Sequence, residues 1–182
     1  MANTNTRAKR QTTTAKPVKA PEKVLEQVES QPVVVKDVDP EQYVIVRNGF
    51  HGKLIYKSSR TGEKFTWDKY GDEQEMQLRE LRNAKNTSKK FFINNWFMFD
   101  ETWIISYLGV GQFYKNSINI EHFDDLFKKP DNELKKIIKD MSAGQKKSVI
   151  YRAVEMIASG EIDSRKTIST LEEALGIDLI EK

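Results

Sequence analysis

The segment 91–114, FFINNWFMFDETWIISYLGVGQFY, concentrates the aromatic side chains of this chain. It holds nine of the 18 aromatic residues in 24 of the 182 positions. Full burial of a large apolar side chain contributes roughly 1.5–3 kcal/mol, so most of these rings must face a core or a partner. The flanking segments are short and weakly hydrophobic, and we expect them to fold by packing onto this one. Core packing is the simpler interpretation, and a partner-binding face is the alternative.

Composition removes several classes of function. The chain has no cysteine, which excludes disulfides, thiolate catalysis and cysteine-ligated zinc. No apolar run approaches the roughly 18 residues of a membrane-spanning helix, and the N-terminus lacks the apolar core of a secretory signal, so neither element is expected. The formal net charge of +3 is close to balance, but the positive charges are unevenly placed, and their placement is more informative than the sum.

Residues 1–40 are predicted to form a flexible, disordered arm rich in basic residues, proline and threonine. Up to Pro21 the arm has no acidic residue and almost no large apolar one, so burial cannot offset a backbone-ordering cost of about 1–2 kcal/mol per residue. Its cations suit electrostatic attachment to nucleic acid or to an acidic protein surface, and a solubilising tail is the alternative. The candidate contact residues are Arg7, Lys9, Arg10, Lys16 and Lys19.

Residues 41–129 are predicted to form an α+β domain with an aromatic core. The runs YVIVR, KLIYKS and EKFTW are typical of antiparallel strands, and a short fourth strand is expected at 75–77. The glycine of the SRTGEK run predicts a hairpin turn between the second and third strands, because glycine accepts a positive φ. A small antiparallel sheet of three or four strands needs a cover, which the aromatic segment is expected to provide.

A helix is predicted over the run LRELRNAKNTSKK. Arg82, Lys85 and Lys89 recur there at i, i+3 and i+7 and would share one face. That face is a candidate nucleic-acid contact, and a solvated face is the alternative. Periodicity does not decide whether residues 91–99 are a helix end or a strand. Asp100 is predicted to cap the helix that follows.

Residues 130–182 are predicted to form a helical subdomain packed on the α+β domain. Three amphipathic helices joined by short turns are expected to make a compact cluster. Ser142 and either Asp163 or Ser164 are the expected N-caps, and a glycine is expected to end each of the last two helices. The side chains predicted to face the core are Leu134, Ile137, Ile138, Met141, Val149, Ile150, Ala153, Val154, Ile157, Ile168, Leu171 and Leu175.

The sequence contains none of the common catalytic motifs: neither a phosphate-binding loop nor a GxSxG run is present. His51 lies in the glycine turn NGFHG. His122 lies in EHFDD with Asp125 three residues on, a spacing that allows weak metal binding but is more typical of a solvated helix face. The sequence therefore assigns no catalytic, cofactor-binding or metal-binding residue, and it predicts a protein that is not an enzyme.

The run from NGFHGK to FMFD contains the turn-strand segment SRTGEKFTW, the GDEQ turn and the KKFFINNW block. In this run, and in DMSAGQKKSVIYRAVEMIASGEIDS and LEEALGIDLIEK, the chain resembles small, mostly uncharacterised proteins encoded by tailed bacteriophages of Gram-positive hosts. The resemblance covers about residues 43–182 and leaves out the arm. Such proteins are usually found among virion structural genes, so the resemblance implies a non-enzymatic component of the capsid, neck or tail. It implies no catalytic residue.

The favoured hypothesis is a structural protein of the phage particle that binds other virion proteins in a multi-subunit assembly, with the arm ordering on assembly. Its expected location is the virion, after the host cytoplasm, and its arm would meet packaged DNA or an acidic neighbouring subunit. The alternative is a nucleic-acid-binding accessory protein that uses the arm and the Lys/Arg helix face. Neither hypothesis needs a cofactor, and no membrane is expected as a partner.

Overall fold

The structure, a computed structural model, describes residues 38–180. Over this range the chain has the predicted α+β fold, with two small antiparallel sheets, six α-helices and three short 3-10 helices. The strands are β1 (Tyr43–Asn48), β2 (Leu54–Lys57), β3 (Lys64–Trp67), β4 (Glu73–Gln77) and β5 (Phe97–Met98). The α-helices are α1 (Leu78–Thr87), α2 (Lys90–Ile93), α3 (Thr102–Leu108), α4 (Asp131–Asp140), α5 (Ala143–Ser159) and α6 (Arg165–Leu175). The 3-10 helices are Gly111–Phe113, Ile120–His122 and Asp124–Lys128.

The central strand of the larger sheet is β1. It pairs with β4 along its length and with β5 at its end, both antiparallel. The strands β2 and β3 form a separate hairpin, with Gly62 at φ +77° in the expected turn. The single sheet of three or four strands that the sequence predicts is therefore wrong: β4 and β5 pair with β1, and β2 and β3 pair with each other. Two side-chain bonds link the sheets: Trp67 Nε1 donates to Val46 O at 2.9 Å, and Gln74 Nε2 donates to Thr66 O at 3.0 Å.

The aromatic segment, residues 91–114, packs against both sheets. It forms α2, β5 and α3 in succession, so residues 91–99 contain both a helix and a strand. Phe97 lies at its centre, with its ring centroid within 5.6 Å of four other rings. Those rings belong to Tyr56, Trp67, Phe91 and Phe92, all buried in the same hydrophobic core. Most of the aromatic segment is therefore buried or half-buried in a core that both sheets share.

The N-cap predicted at Asp100 is wrong. The helix α3 begins after Glu101, and the Asp100 carboxylate instead accepts a hydrogen bond from Arg47 Nη1 at 3.1 Å. Arg47 also lies 3.4 Å from Glu73 and 3.6 Å from Glu121. A guanidinium offers a carboxylate a stronger, charge-assisted bond than a helical backbone amide does, which explains why the capping interaction is lost.

A second hydrophobic core lies among α4, α5, α6 and the 3-10 helices that precede them. Ser142 and Ser164 are its N-caps, as predicted: their hydroxyls accept from the N–H groups of Gln145 at 3.2 Å and Thr167 at 3.4 Å. The predicted core positions are buried or half-buried except Val154, which is 41% exposed. The prediction for Val154 is wrong because this residue lies on the side of α5 that faces away from the second core.

The predicted arm lies almost wholly outside the described residues. Arg7, Lys9, Arg10, Lys16 and Lys19 therefore stay candidate contacts without a structural description. Within residues 38–180, no helix is both long enough and apolar enough to cross a membrane.

Candidate functional site

The Lys/Arg face predicted on α1 contacts the protein's own aromatic segment. The guanidinium of Arg82 lies 4.5 Å from the ring centroid of Tyr107, and Lys85 Nζ donates to the carbonyl of Leu108 at 2.5 Å. Lys89, two residues beyond the end of α1, lies over the ring of Phe113 at 5.3 Å. Arg82 and Lys85 thus lie on the side of α1 that faces α3, whereas Lys89 lies beyond α1, over the 3-10 helix Gly111–Phe113, so the predicted single helix face of three cations is wrong for Lys89. Arg82 and Lys89 remain exposed to solvent while they make these contacts.

The turn Asn94–Asn95, within the KKFFINNW block, is where the helical part of the chain meets the sheets. Gly49 and Gly144 both approach its backbone. A Cβ added to Gly49 would lie 2.1 Å from Asn95 O, and one added to Gly144 would lie 2.2 Å from Asn94 O. Asn95 is buried with φ +54°, and its side-chain amide donates to Phe113 O at 2.8 Å. Close packing at this turn therefore requires glycine on both sides.

Ser148 of α5 joins the helical part to the loop between β1 and β2. Its buried hydroxyl donates to Gly49 O at 3.1 Å and accepts from the backbone N–H of His51 at 3.2 Å. The His51 ring stacks on Tyr70 with centroids 4.2 Å apart and lies 5.2 Å from Phe123. The loop between β1 and β2, for which the sequence indicated only a turn, is therefore packed against α5 and against Phe123, which lies between two 3-10 helices.

A polar cleft of about 530 Å³ opens beside this loop, and we call it the junction cleft. Asp124 and Arg152 form a two-point pair on its wall, with Nε to Oδ1 at 3.0 Å and Nη2 to Oδ2 at 2.8 Å. This pair joins a 3-10 helix to α5 and so holds the junction together. Rings and charged groups share the lining, which includes His51, Asp68, Lys69, Tyr70, Glu121, Phe123, Asp124, Arg152 and Glu155.

Several titrating groups of the junction cleft are desolvated or paired. Burial lowers the pKa of His51, so its imidazole is neutral at pH 7. Hydrogen bonds from Arg152 hold the pKa of Asp124 below its ordinary value, and Asp124 in turn raises the pKa of Arg152. Burial raises the pKa of the Tyr70 hydroxyl. The neutral His51 imidazole and the Asp124–Arg152 ion pair therefore stabilise the contact between α5 and the 3-10 helix Asp124–Lys128.

The outer side of α5 presents apolar side chains to solvent. Tyr151 is 52% exposed, and Val154, Lys147 and Ala158 are exposed on the same side. These four residues recur at i, i+4, i+7 and i+11, and we call them the α5 face. Phe50 lies beside it, its ring meeting that of Tyr151 edge-on with centroids 5.6 Å apart. An aromatic and an aliphatic side chain exposed on one helix side make the α5 face a candidate for protein–protein contact.

A second exposed apolar pair lies on the outer side of β1. Tyr43 is 61% exposed and Ile45 38% exposed, and we call these two residues the sheet face. They are two residues apart and so point to the same side of the strand. Across the antiparallel ladder they lie opposite Gln77 and Glu75 of β4, so a polar rim borders the apolar pair.

His122 and Asp125 lie together, as the sequence suggested, with Nδ1 3.2 Å from Oδ2. Both side chains are exposed, and Asp125 also accepts from Lys128 Nζ at 2.9 Å. Among the residues that the structure describes, no group of three or more His, Asp or Glu side chains is arranged to hold a metal ion. The contact is a surface contact between two consecutive 3-10 helices.

Sequence reasoning missed the α5 face and the junction cleft. The sequence places Val154 in the core because α5 carries more apolar positions than one buried side needs, and that surplus is the signal that could reveal an exposed apolar side. The junction cleft had no local signal at all. The bond from the His51 N–H to Ser148 joins residues 97 positions apart, which periodicity and motif spacing do not record.

No protein-family model matches the chain, and searches of curated proteins and of solved structures found no match either.

Proposed function

We propose that this chain is a non-enzymatic structural protein of a tailed-phage particle. It binds neighbouring virion subunits through exposed apolar surface, and its basic arm orders on assembly. The phage assignment rests on the resemblance over residues 43–182. The binding role rests on the α5 face and the sheet face.

The α5 face is the observation that carries the proposal. Isolated apolar residues are ordinary on protein surfaces, but here an exposed tyrosine, a valine and a neighbouring phenylalanine lie together. Tyrosine is enriched among the residues that contribute most to protein–protein affinity, because it buries a large rigid area at low entropic cost. A neighbouring subunit that covers this face removes it from water.

The placement of charge supports a role for the arm. The first 37 residues contain seven of the 30 basic and four of the 27 acidic residues, so they carry the whole net charge of +3. The remaining 145 residues are neutral overall. A neutral folded part with a basic N-terminal segment suits attachment through that segment to packaged DNA or to an acidic neighbour.

Purified particles test the proposal directly. Quantitative mass spectrometry of gradient-purified phage should find this protein at a fixed ratio to the major capsid protein, unchanged by further purification. A phage-encoded replication protein of similar abundance in the lysate serves as the control and should be lost. Loss of this protein together with that control would overturn the proposal.

Nucleic-acid binding is the second candidate function, and a specific observation favours it. Arg82 and Lys89 stay exposed above the rings of Tyr107 and Phe113, so cations and aromatic groups share one surface. Proteins that bind single-stranded nucleic acid combine these two groups, with cations meeting phosphates and rings stacking on bases. The salt dependence of binding, predicted in the Discussion, separates this candidate from the first.

A further inference from the structure

The helix α5 is apolar on two opposite sides. Its inner side carries Val149, Ala153 and Met156, all buried in the second core. Its outer side carries Tyr151 and Val154, both exposed. A surface helix normally needs one apolar stripe, and a helix that is apolar all round is normally buried. The second core therefore covers only the inner side of α5, and the apolar side chains on its outer side stay exposed to solvent.

The charges around this outer side have a self-complementary order. Lys147 lies four residues before Tyr151, and Glu155 lies four residues after it. Lys147 is exposed and makes no ion pair with any residue in the range 38–180. The Glu155 side chain is 61% exposed, with Arg152 Nη1 3.4 Å away. When a second, reversed helix faces the first, each charge lies opposite the opposite charge and the tyrosines lie opposite one another, so the pattern is complementary to itself.

We propose that the α5 face is a self-association surface on which a second copy of this chain docks. The two α5 helices pack antiparallel across a two-fold axis that passes close to Tyr151. In this arrangement Lys147 of each copy faces Glu155 of the other, which gives two symmetry-related ion pairs. The two pairs are separated by about 12 Å along the helix axis, the rise of the eight residues from Lys147 to Glu155. Val154 and Phe50 pack beside the two tyrosines and exclude water from the centre.

The size of the surface sets the strength of the contact. One helix side with one flanking ring is smaller than the roughly 800 Å² per partner of a standard stable interface. Self-association of the isolated protein is therefore weak and depends on concentration, with a Kd on the order of 10–100 μM. Such a contact becomes effective where many copies are held close together.

This inference deepens the proposed function, because it names one partner as the protein itself. It does not depend on the phage assignment, since it rests on α5 and the neighbouring Phe50. A protein that self-associates but is absent from particles would overturn the proposed function only. A protein that is present in particles but fails the tests below would overturn the self-association only.

Disulfide trapping tests the position of the axis. The full-length chain contains no cysteine, so Tyr151→Cys introduces a single thiol. The axes of two packed helices lie about 8–10 Å apart, and Cα atoms lie about 2.3 Å from each axis, so Cα atoms that face each other come within the roughly 7 Å that a disulfide needs. Under mild oxidation Tyr151→Cys should form a covalent dimer rapidly. The matched control is Lys136→Cys, on the exposed side of α4, which should stay mostly monomeric. Equal rates for the two variants would overturn the proposal.

Charge exchange provides a second test that does not depend on the disulfide. Sedimentation equilibrium of the full-length wild type should show a monomer–dimer equilibrium. Lys147→Glu alone and Glu155→Lys alone each place like charges opposite one another. Each should raise the dissociation constant of the dimer by about tenfold. An equimolar mixture of the two variants should regain dimers, because each Lys147→Glu copy then faces a Glu155→Lys copy. A wild type that is monomeric at 0.5 mM, or a mixture that does not recover, would overturn the proposal.

Discussion

Glu80 is a buried carboxylate where α1 faces the β2–β3 hairpin, with only 3% of its surface exposed. Tyr56 Oη donates to it at 2.7 Å, Asn83 Nδ2 at 3.0 Å and Arg60 Nη2 at 3.2 Å. Burial alone would raise the pKa of Glu80, but hydrogen bonds, led by those from Asn83 and Tyr56, outweigh burial and hold the pKa below its ordinary value. The ionised form of Glu80 therefore stabilises the contact between the hairpin and α1.

Replacing Glu80 with glutamine is expected to lower the free energy of unfolding at pH 7 by about 2 kcal/mol, because Tyr56 and Arg60 lose a charged acceptor. The folded-state pKa lies below the ordinary value of 4.5, so this stabilisation is present above that value and is lost as pH falls through the folded pKa. Urea titrations from about pH 7 to pH 3 measure both effects. The wild type should lose stability more steeply on the acid side than Glu80→Gln, and parallel curves would count against this account.

At the level of secondary structure, local chemistry predicted the helices well and the sheets only in part. Ser142 and Ser164 cap their helices because a hydroxyl next to the first turn satisfies its N–H groups, which is a local effect. Asp100 failed as a cap because Arg47, 53 positions away in the chain, binds its carboxylate. The pairing of β1 with β5 likewise depends on tertiary packing. Long-range partners therefore account for the elements that sequence reasoning misplaced.

The candidate surfaces show the same difference between features that local sequence predicts and features that depend on long-range contacts. The composition of α5 contained the information that this helix has too many apolar residues for one buried side. The sequence could not indicate which side the second core would cover, so Val154 was placed inside. The contacts of Arg82, Lys85 and Lys89 with the aromatic segment were equally hidden, because their partners lie in α3 and in the 3-10 helix after it.

Gly144→Ala is expected to destabilise the protein although alanine is the better helix former. The higher helix propensity of alanine would raise the free energy of unfolding by about 1 kcal/mol. The new Cβ, however, would lie 2.2 Å from the backbone oxygen of Asn94. Relieving that overlap must move α5 away from the turn, at a net cost of about 2 kcal/mol. Gly111→Ala is the matched control, since its Cβ would meet only Ile105 at 3.9 Å. Thermal unfolding that ranks Gly144→Ala level with this control would contradict the described docking of α5.

For the whole molecule, the net positive charge resides in the N-terminal residues. If the arm is what meets DNA, the logarithm of the binding constant should fall with the logarithm of salt concentration at a slope of about −4.5, one phosphate contact for each of five cations. Changing Arg7, Lys9, Arg10, Lys16 and Lys19 together to glutamine should then abolish that slope. Filter binding between about 50 and 300 mM salt measures the effect.

The Lys/Arg helix face supplies the comparison for this experiment. A variant with Arg82, Lys85 and Lys89 changed to glutamine should keep the slope if the arm is responsible. It should lose the slope if α1 is the contact. Binding by the wild type that does not respond to salt would contradict both routes to nucleic acid.

We propose that neighbours in an assembly cover the exposed apolar faces of this protein. Hydroxyl-radical footprinting tests it by comparing the oxidation rates of Tyr43 and Tyr151 in dilute isolated protein and in purified particles. Both residues should react rapidly in the isolated protein, where they are 61% and 52% exposed. In particles, the oxidation rate at Tyr151, and at Tyr43 where the sheet face is also covered, should fall toward that of the buried reference Tyr56. Unchanged rates at both tyrosines in the particle would contradict the claim.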